Sequence, residues 1–432
     1  MIEKTRHIPD GKGELKKLEV VEYLKAAKLF YPLTNSRCSF AEVLIEEGQE
    51  VKVGQMLGIR KGSFFDQPIH STVSGKYIGK ERHLDNTGKM VEHLVIENNF
   101  KDEVDLGIKA RSNDEINSLE QKDFVEIMKN KALVGLGGSA FPTFVKFDTN
   151  EKINVIIGNG VECEPYLVSD YDVMLFQTRE MLQGLVYAMR AVNAPRGIIA
   201  IKSKYEKVNE VITKMIDEEF PNLGLEVKKI GNYYPQGWEL EVIKNAVGIT
   251  VPQGELPAKY GVINVNVATL VSIYEAIKND LPVLTRYFVI SGDGIQNKAF
   301  KVRLGTPVKE LVESVGGFID NGQNKVLIIG GPMMGSNVTS EDVIVSHTVS
   351  SLIVLNEEPI VELPCLRCAS CVYSCPALLQ PVQIMNAYKA KDKEMAEKLE
   401  VSKCIECGMC SYTCPSRIPL TDFMKLAKKL TK

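Results

Sequence analysis

The sequence is poor in the features that mark membrane-spanning, nucleic-acid-binding and secreted proteins. It has no run of eighteen apolar residues, so no transmembrane segment is predicted. The formal net charge of −3 provides no basic patch for nucleic acid, which is not an expected partner. The first residues lack the apolar core of a signal peptide. A cytoplasmic protein is therefore predicted, and peripheral association with the inner face of the cell membrane stays open.

The composition that is present is typical of a soluble protein with several domains. The chain has 432 residues, of which 44% are hydrophobic and 25% charged, and this length suggests three or four domains. It contains ten cysteines. A disulfide framework is disfavoured, because such frameworks suit small secreted domains. The cysteines fit a reducing and oxygen-poor compartment instead.

Eight of the cysteines form two copies of one motif near the end of the chain. Each copy, at 365–376 and at 404–415, has the Cys-x2-Cys-x2-Cys-x3-Cys-Pro spacing of a bacterial ferredoxin. In that pattern the fourth cysteine of each copy ligates the other cluster. A pair of zinc sites is the alternative, although zinc ribbons usually carry two separated cysteine pairs. We predict two [4Fe–4S] clusters, held by Cys365, Cys368, Cys371 and Cys414 and by Cys404, Cys407, Cys410 and Cys375.

The first hundred residues divide into a helical and a β-rich pattern. Apolar residues at near-helical spacing in 14–30 predict an amphipathic helix within an N-terminal segment, 1–31. Short β runs separated by glycines predict a small β sandwich over 32–100. The phrase Glu-Gly-Gln-Glu-Val-Lys-Val-Gly-Gln at 47–55 resembles the biotinyl/lipoyl-type barrel-sandwich fold. Because no lysine occupies a hairpin-tip attachment motif, this domain is interpreted as a docking or scaffolding module.

Residues 101–284 read as an α/β domain with ligand-binding turns. After a helical bridge, residues 133–143 predict a strand, a glycine cluster and a helix, an arrangement that lets backbone N–H groups approach a phosphate, although a plain turn is the alternative. The buried run that begins at Ile153 ends in a polar loop, predicted to project Asn159, Glu162 and Glu164 into a cleft; a solvated acidic loop is the alternative. Alternating strands and helices predict a mostly parallel sheet.

Several motifs together resemble one known family. They are Gly-Leu-Gly-Gly-Ser-Ala-Phe-Pro-Thr, Asn-Gly-Val-Glu-Cys-Glu-Pro-Tyr, Tyr-Pro-Gln-Gly and Gly-Gly-Pro-Met-Met-Gly, followed by the double cysteine motif. In this order they resemble the C subunit of Rnf-type electron transport complexes, from about residue 32 to 425. The first two are also similar to the FMN- and NADH-binding subunit of respiratory complex I.

The resemblance implies cofactors and the residues that bind them. FMN and NADH would bind a Rossmann-like domain, 101–284, without a catalytic acid, base or nucleophile. The resemblance departs at Leu136 and Val161, where complex I has Arg and Asp. The implied contacts are the backbone of Gly135, Gly137 and Gly138 around FMN and the nucleotide, Lys146 near the FMN phosphate, Asn159, Glu162 and Glu164 beside the isoalloxazine and nicotinamide, and Gly237, Glu239, Asn266 and Thr269 at the flavin.

The rest of the chain completes a multidomain α/β fold class. Residues 285–350 resemble a soluble-ligand-binding β-grasp domain, to which a structural role is assigned, and 351–432 form the two-cluster ferredoxin domain. The predicted order is thus barrel-sandwich β domain, Rossmann-like flavin/NADH domain, β-grasp domain and C-terminal two-cluster ferredoxin domain.

The predicted partner depends on which branch of the family the chain resembles. Residues 33–40 depart from the usual Rnf sequence, and the chain ends soon after the second motif. Both features are closer to proline-reductase-associated electron transfer proteins of amino-acid-fermenting clostridia. Cys38 beside Arg37 is either a redox-active thiol with a lowered pKa or an inert one.

The predicted function is electron transfer from NADH through FMN and two [4Fe–4S] clusters to a protein partner of the proline reductase type. One alternative is the peripheral C subunit of a membrane Rnf ferredoxin:NAD+ oxidoreductase, with other Rnf subunits as partners. The other alternative is an iron–sulfur adaptor without flavin activity.

Overall fold

The computed structural model describes residues 6–431 and contains four β-sheets with helices around them. The predicted multidomain α/β fold class is confirmed. No helix in the described range is long and apolar enough to cross a membrane.

Two antiparallel sheets form the barrel-sandwich domain. One has the strand order β2-β8-β7-β4 and the other β3-β5-β6. Alternating apolar residues such as Leu29, Leu57 and Leu94 are buried between the sheets, as expected for strands with one covered face. The strands are β2 Lys28–Pro32, β3 Cys38–Val43, β4 Glu50–Val51, β5 Met56–Gly62, β6 Gln67–His70, β7 Gly75–Leu84 and β8 Met90–Asn98.

The amphipathic helix predicted over 14–30 is wrong. The segment contains a single 3-10 turn, Leu15–Lys17, followed by strand β1, Val20–Tyr23, and the start of β2. Strand β1 pairs in parallel with a strand of the β-grasp sheet almost three hundred residues away. The β-branched pair Val20 and Val21 favours this extended conformation, and the sheet edge overrides the helical spacing.

The flavin domain is built on a four-stranded parallel sheet with the order β11-β10-β9-β12, which confirms the parallel prediction. The chain leaves β9 towards β10 on one side and returns to β12 on the other. Ligands bind outside the carboxyl ends of the strands at such a switch point. The strands are β9 Val155–Gly160, β10 Gly197–Lys202, β11 Leu225–Ile230 and β12 Val262–Asn266. The helices are α1 Asn113–Asn117, α2 Gln121–Asn130, α3 Thr143–Phe147, α4 Ser169–Phe176, α5 Thr178–Ala191, α6 Glu206–Glu219, α7 Glu239–Val247 and α8 Val267–Lys278.

The predicted strand before the glycine cluster is absent from the described structure. Val134 makes only an isolated bridge with Pro142, so residues 133–143 form a loop closed upon itself. The helix that follows, α3, has only five residues. This region therefore offers a compact glycine loop and no strand-to-helix transition.

The β-grasp sheet has six strands in the order β1-β14-β13-β17-β15-β16. It continues past the predicted boundary at 350 and also includes β1 from the N-terminal segment, so the domain is not one continuous stretch of chain. Its elements are β13 Thr285–Ser291, β14 Lys298–Arg303, α9 Val308–Ser314, β15 Lys325–Ile329, β16 Ser336–Val338 and β17 Ser351–Asn356.

The ferredoxin domain is helical, with a small core of its own. Ile384, Leu420 and Met424 are buried there beside cysteines of both motifs. A four-residue helix begins near the third cysteine of each motif, so the two halves have the same local structure. The helices are α10 Ser370–Tyr373, α11 Pro381–Lys389, α12 Lys393–Lys398, α13 Met409–Tyr412 and α14 Leu420–Leu430.

Candidate flavin and iron–sulfur sites

The glycine loop presents bare backbone beside the switch point of the parallel sheet. The Gly135 N–H donates to the Phe141 carbonyl at 2.8 Å, which closes the loop. Gly137 and Gly138 are exposed, and Gly138 has φ +102°, a conformation that favours glycine. The Leu136 N–H donates to Thr269 Oγ1 at 2.9 Å and so fixes the loop to helix α8. Exposed N–H groups held in this way suit a phosphate.

Other predicted contact residues are joined to one another around the carboxyl end of β9. Asn159 Nδ2 donates to the Gly237 carbonyl at 3.0 Å. Lys146 Nζ donates to Glu239 Oε1 at 2.7 Å and to the Asn264 carbonyl at 2.8 Å. The structure therefore gathers motifs that lie more than a hundred residues apart in the sequence.

Asn266 also lies at this edge of the sheet. Its Nδ2 donates to Asp170 Oδ2 at 2.8 Å, and its Oδ1 accepts from the Ala268 N–H at 2.9 Å, which caps helix α8. A Cβ atom on Gly137 would lie 3.1 Å from Asn266 Nδ2, so the glycine loop packs closely on this amide.

Glu162 does not project into a cleft, and that part of the prediction is wrong. Its carboxylate is buried and accepts hydrogen bonds from Ser169 Oγ and the Asp170 N–H. Lys12, with 0% exposure, donates from Nζ to Glu162 Oε2 at 3.3 Å and to the Glu162 carbonyl at 2.8 Å. A buried carboxylate needs such a partner, and here the N-terminal segment supplies it.

Glu164 lies at the contact between the flavin and β-grasp domains. Its Oε1 accepts from the Tyr234 hydroxyl at 3.3 Å and its Oε2 from the Met333 N–H at 3.0 Å. Burial raises the pKa of Glu164 to about 7. A Cβ atom on Gly331 would lie 2.0 Å from this carboxylate, so the Gly-Gly-Pro-Met-Met-Gly loop can approach it only with glycine there. The β-grasp domain therefore contacts Glu164 directly through this loop.

Buried polar atoms around these residues fit a bound flavin. Gln236 Oε1 and Nε2, Asn264 Oδ1 and Thr143 Oγ1 lack a hydrogen-bond partner among the described residues. Gln236 adjoins Gly237, Asn264 holds Lys146, and Thr143 begins the helix that carries Lys146. FMN offers ring amide groups and a phosphate that can satisfy such atoms. The three side chains were missed as site residues, although their motifs were recognised.

A side chain of the barrel-sandwich domain also reaches the glycine loop. Arg37 Nη2 donates to the Ser139 carbonyl at 3.3 Å, and the guanidinium lies 5.4 Å from the centre of the Phe141 ring. Arg37 is exposed, so its remaining donors are accessible to a ligand at the loop. Residue 136 does not supply this charge, because it is a leucine, and its side chain is buried.

The cysteines form two sets around two cavities, in the crossed arrangement that the sequence predicts. The inner set surrounds a small cavity of about 20 Å³, and the outer set surrounds an open cleft in which two of the cysteines are exposed. Backbone N–H groups donate to Sγ atoms in both sets, as suits thiolate ligands of an iron–sulfur cluster. The inner set is Cys375, Cys404, Cys407 and Cys410, and the outer set is Cys365, Cys368, Cys371 and Cys414.

The inner set is in direct contact with the polar loop after strand β9, residues 161–166, which we call the flavin loop. Tyr234 packs with Cys407 in one apolar cluster, against which Cys163 and Met333 also pack. A Cβ atom on Gly408 would lie 2.7 Å from the Met333 carbonyl, so the β-grasp loop and the cysteine loop touch through backbone. Glu164, Tyr234, Met333 and Cys407 therefore form a continuous path from the flavin loop to the inner set.

The two remaining cysteines behave as packing residues. Burial raises the pKa of Cys38, which contradicts the predicted lowering and favours the inert thiol. Burial, followed by the charge of Glu164, raises the pKa of Cys163 to about 11.

Family models match four parts of the chain. The Nuo51 FMN-binding domain matches residues 128–275, and the RnfC barrel sandwich hybrid domain matches 2–101. The SLBB domain matches 291–337, and the 4Fe-4S dicluster domain matches 360–415. These matches confirm the predicted FMN and [4Fe–4S] cofactors and contradict the alternative of two zinc sites.

Curated relatives are similar over most of the chain. The C subunit of the Na(+)-translocating ferredoxin:NAD(+) oxidoreductase complex of Acetobacterium woodii is 34% identical over 88% of this chain and 84% of its own. The C subunit of the proton-translocating complex of Clostridium ljungdahlii is 32% identical over 82% of this chain and 77% of its own. The C subunit of the ion-translocating oxidoreductase complex of Haemophilus influenzae strain PittEE is 29% identical, and this chain spans 65% of its length.

A solved structure shares the fold. An NAD+-reducing [NiFe]-hydrogenase in the H2-reduced state matches with a TM-score of 0.52 and 16% identity, over 72% of this chain and 63% of that one. The sequence relatives and the family models also establish the family of the chain. The chain belongs to the family of C subunits of Rnf-type ion-translocating oxidoreductase complexes.

Proposed function

We propose that this chain is the NADH-oxidising subunit of an Rnf-type ferredoxin:NAD+ oxidoreductase and exchanges electrons with other subunits of that complex. The names of the Acetobacterium and Clostridium relatives support this function. They favour the Rnf alternative over the proline-reductase branch that residues 33–40 suggested. On this proposal the chain lies on the cytoplasmic face of the membrane and binds membrane-embedded partner subunits.

Bound FMN would supply a hydride acceptor that can also release single electrons, and two iron–sulfur clusters would supply one-electron carriers. The residues of the chain bind the cofactors, orient them and exclude water from them. Lys146 supplies a positive charge for the FMN phosphate and is held by Glu239 and the Asn264 carbonyl. The glycine loop adds backbone N–H donors, and Asn159, Gln236 and Asn264 supply amide groups for the ring.

Arg37 is the residue proposed to meet the nucleotide. It is exposed at the glycine loop and is already oriented by Ser139 and Phe141. A guanidinium beside an aromatic ring can contact a phosphate and stack on a base. NADH carries both groups, so this corner of the loop suits the nucleotide and not the flavin ring alone.

The observation that carries the proposal is the apolar contact between the flavin loop and the inner set. Tyr234, Met333 and Cys407 pack together, while Glu164 is bonded to the first two. This packing excludes water and shortens the separation between the two cofactor sites. The outer set, with Cys365 and Cys368 exposed, is the part of the ferredoxin domain open to a partner.

An anaerobic UV–visible titration with NADH tests the activity. Protein that contains FMN and iron should show bleaching of the flavin absorbance, followed by that of the clusters. Unchanged spectra with both cofactors present would refute NADH oxidation. Cofactor extraction distinguishes the iron–sulfur adaptor, which would yield iron and sulfide without FMN.

Glu164→Gln tests the site residue. It removes the carboxylate that Tyr234 and Met333 position, so we expect NADH oxidation to fall roughly 10- to 100-fold with FMN and iron contents unchanged. Glu126→Gln, on the exposed face of helix α2, is the matched control. If Glu164→Gln loses iron or FMN, Glu164 has a structural role instead.

A further inference from the structure

We propose that a cleft at the junction of three domains binds a small oxyanion. This junction cleft, about 40 Å³, is lined by the barrel-sandwich, flavin and β-grasp domains. Its basic lining side chains are Arg60, His70, Lys131 and His347. No carboxylate lines it within residues 6–431, and burial raises the pKa of the Tyr31 phenol, so no lining side chain is negatively charged at neutral pH.

Arg60 is the centre of the argument. It lies on strand β5, is 5% exposed, and donates from Nε to the Pro32 carbonyl at 2.7 Å. The burial of the guanidinium lowers the pKa of Arg60 to about 10, so the side chain still carries a full positive charge at neutral pH. Pro32 offers a carbonyl and no negative charge to balance it.

Among the described residues, no neighbouring side chain in the cleft neutralises the positive charge of Arg60. Lys131 is paired with Asp280 at 3.0 Å, and the same carboxylate accepts from Arg111 at 2.7 Å. Burial lowers the pKa of His70 to about 3, with Lys131 and Arg60 adding to the effect. The imidazole is therefore neutral and has one N–H to donate.

His347 completes the cleft from the β-grasp side and is held in place. Its carbonyl and that of Ser346 both accept from Arg286 Nη1 at 2.8 Å. Burial lowers the pKa of His347 to about 3, and Arg60 and Arg286 lower it further. Arg60 thus faces neutral donors that can bind an anion but cannot neutralise the guanidinium.

A small oxyanion would satisfy this arrangement. A buried and uncompensated charge is costly, and an anion in the cleft removes that cost. The planar guanidinium offers parallel N–H donors that match two oxygens of phosphate, sulfate or carboxylate. Because three domains line the cleft, the anion would also stabilise their association.

Thermal unfolding of the cofactor-loaded protein with inorganic phosphate tests the proposal. With FMN bound, the flavin phosphate subsite is already filled. Titration at constant ionic strength, with sodium chloride as the balancing salt, should raise Tm in a saturable way, because a ligand that binds only the folded state stabilises it. A Tm that does not respond to phosphate would overturn the proposal.

Two variants separate the site from a general salt effect, since phosphate also stabilises proteins by exclusion from their surface. Arg60→Gln should weaken phosphate binding roughly tenfold or more, because the bidentate charged donor is lost. Arg82→Gln, an exposed arginine of the same domain, should respond like the wild type. Equal phosphate responses in Arg60→Gln and Arg82→Gln would refute the site.

If Arg60→Gln does not fold, His347→Gln provides the same comparison by calorimetric phosphate titration. It leaves the Arg60 charge in place and changes one donor. A measurably weaker phosphate affinity supports the site, and an unchanged affinity contradicts it. Adding NADH identifies the source of the oxyanion: competition with phosphate assigns the cleft to a nucleotide phosphate, and independent binding assigns it to a free anion.

Discussion

At the scale of single residues, the acidic groups near the flavin loop differ because their partners differ. Glu162 forms an ion pair with Lys12. Asp172 on helix α4 is only 4% exposed, and the charge that affects its pKa is the negative charge of Glu162. Burial, with the charge of Glu162 second, raises the pKa of Asp172 to about 8. Asp172 therefore favours its protonated form in the folded protein.

Asp172→Asn should change how stability depends on pH. The folded protein keeps the Asp172 proton up to about pH 8, whereas the unfolded chain releases it near the ordinary aspartate value of 3.8. Between these values this group lowers the wild-type stability by up to about 1.4 kcal/mol per pH unit as pH rises. Asparagine removes that loss, so the variant should gain stability relative to the wild type from about pH 5 to about pH 8.

Urea unfolding at both pH values measures this gain. Asp217→Asn, an exposed aspartate on helix α6, is the control and should track the wild type. The same difference between wild type and Asp172→Asn at both pH values would show that Asp172 is ionised in the folded protein.

The sequence predicted the residues of the acidic loop but not their surroundings. The spacing of Glu162 and Glu164 after a buried strand located a loop at the sheet edge. Their partners Lys12 and Met333 lie 150 and 169 residues away. No local pattern carries such contacts, so the pairing of one carboxylate and the raised pKa of the other emerge only from tertiary structure.

At the scale of elements, the N-terminal strap, residues 6–13, joins the flavin and ferredoxin domains. The Arg6 carbonyl accepts from the Tyr234 N–H, and the Asp10 carbonyl accepts from the Tyr166 N–H. Arg6 Nη2 donates to the Cys375 carbonyl at 3.2 Å. The strap has neither helical nor strand periodicity, which explains why sequence patterns gave it no role.

Removing the buried cation of the strap tests its contribution. Lys12→Met leaves Glu162 buried without a counter-charge, a change that typically costs about 3–5 kcal/mol. We expect a corresponding loss in the free energy of unfolding, with the double variant Lys12→Met/Glu162→Gln recovering part of it. Chemical denaturation measures both.

A matched control is Lys17→Met, which removes an exposed lysine paired with Glu14 and should change stability little. If Lys12→Met is as stable as Lys17→Met, the buried pair does not hold the strap. If the double variant is no better than Lys12→Met, the loss comes from packing and not from the stranded carboxylate.

Strands and helices were predicted well where apolar residues recur with a regular period, and poorly where an element pairs with another domain. Strand β10 and helix α6 follow the predicted order because each has its own periodicity. Strand β1 did not, since its partner is the edge of a sheet formed by residues beyond 284. Local spacing cannot report an edge that distant residues provide.

At the scale of the whole molecule, the inner and outer sets differ in their surroundings although their motifs are the same. The inner set contacts Tyr234 and Met333, while the outer set opens towards the exposed Leu366. The spacing of the cysteines predicted which four would gather. It did not predict which set faces the flavin domain, because that depends on packing between domains.

Replacing the fourth cysteine of one motif at a time distinguishes the roles of the two sets. Cys375→Ala removes a ligand from the inner set and Cys414→Ala one from the outer set, so each variant should lose about four of about eight iron atoms per chain. Because the inner set lies against the flavin loop, Cys414→Ala should keep a cluster that NADH reduces. Cys375→Ala should keep a cluster that dithionite reduces but NADH reduces slowly.

Iron analysis and EPR after anaerobic reduction with NADH or with dithionite measure this contrast, and FMN content serves as the control for an intact flavin domain. The alternative to the crossed assignment is that each motif binds its own cluster, and it predicts the opposite result. If each motif bound its own cluster, Cys375 would belong with Cys365, Cys368 and Cys371, and Cys375→Ala would spare the cluster beside Tyr234. Rapid reduction by NADH in Cys375→Ala, with its loss in Cys414→Ala, would therefore reverse the assignment that the two cavities support.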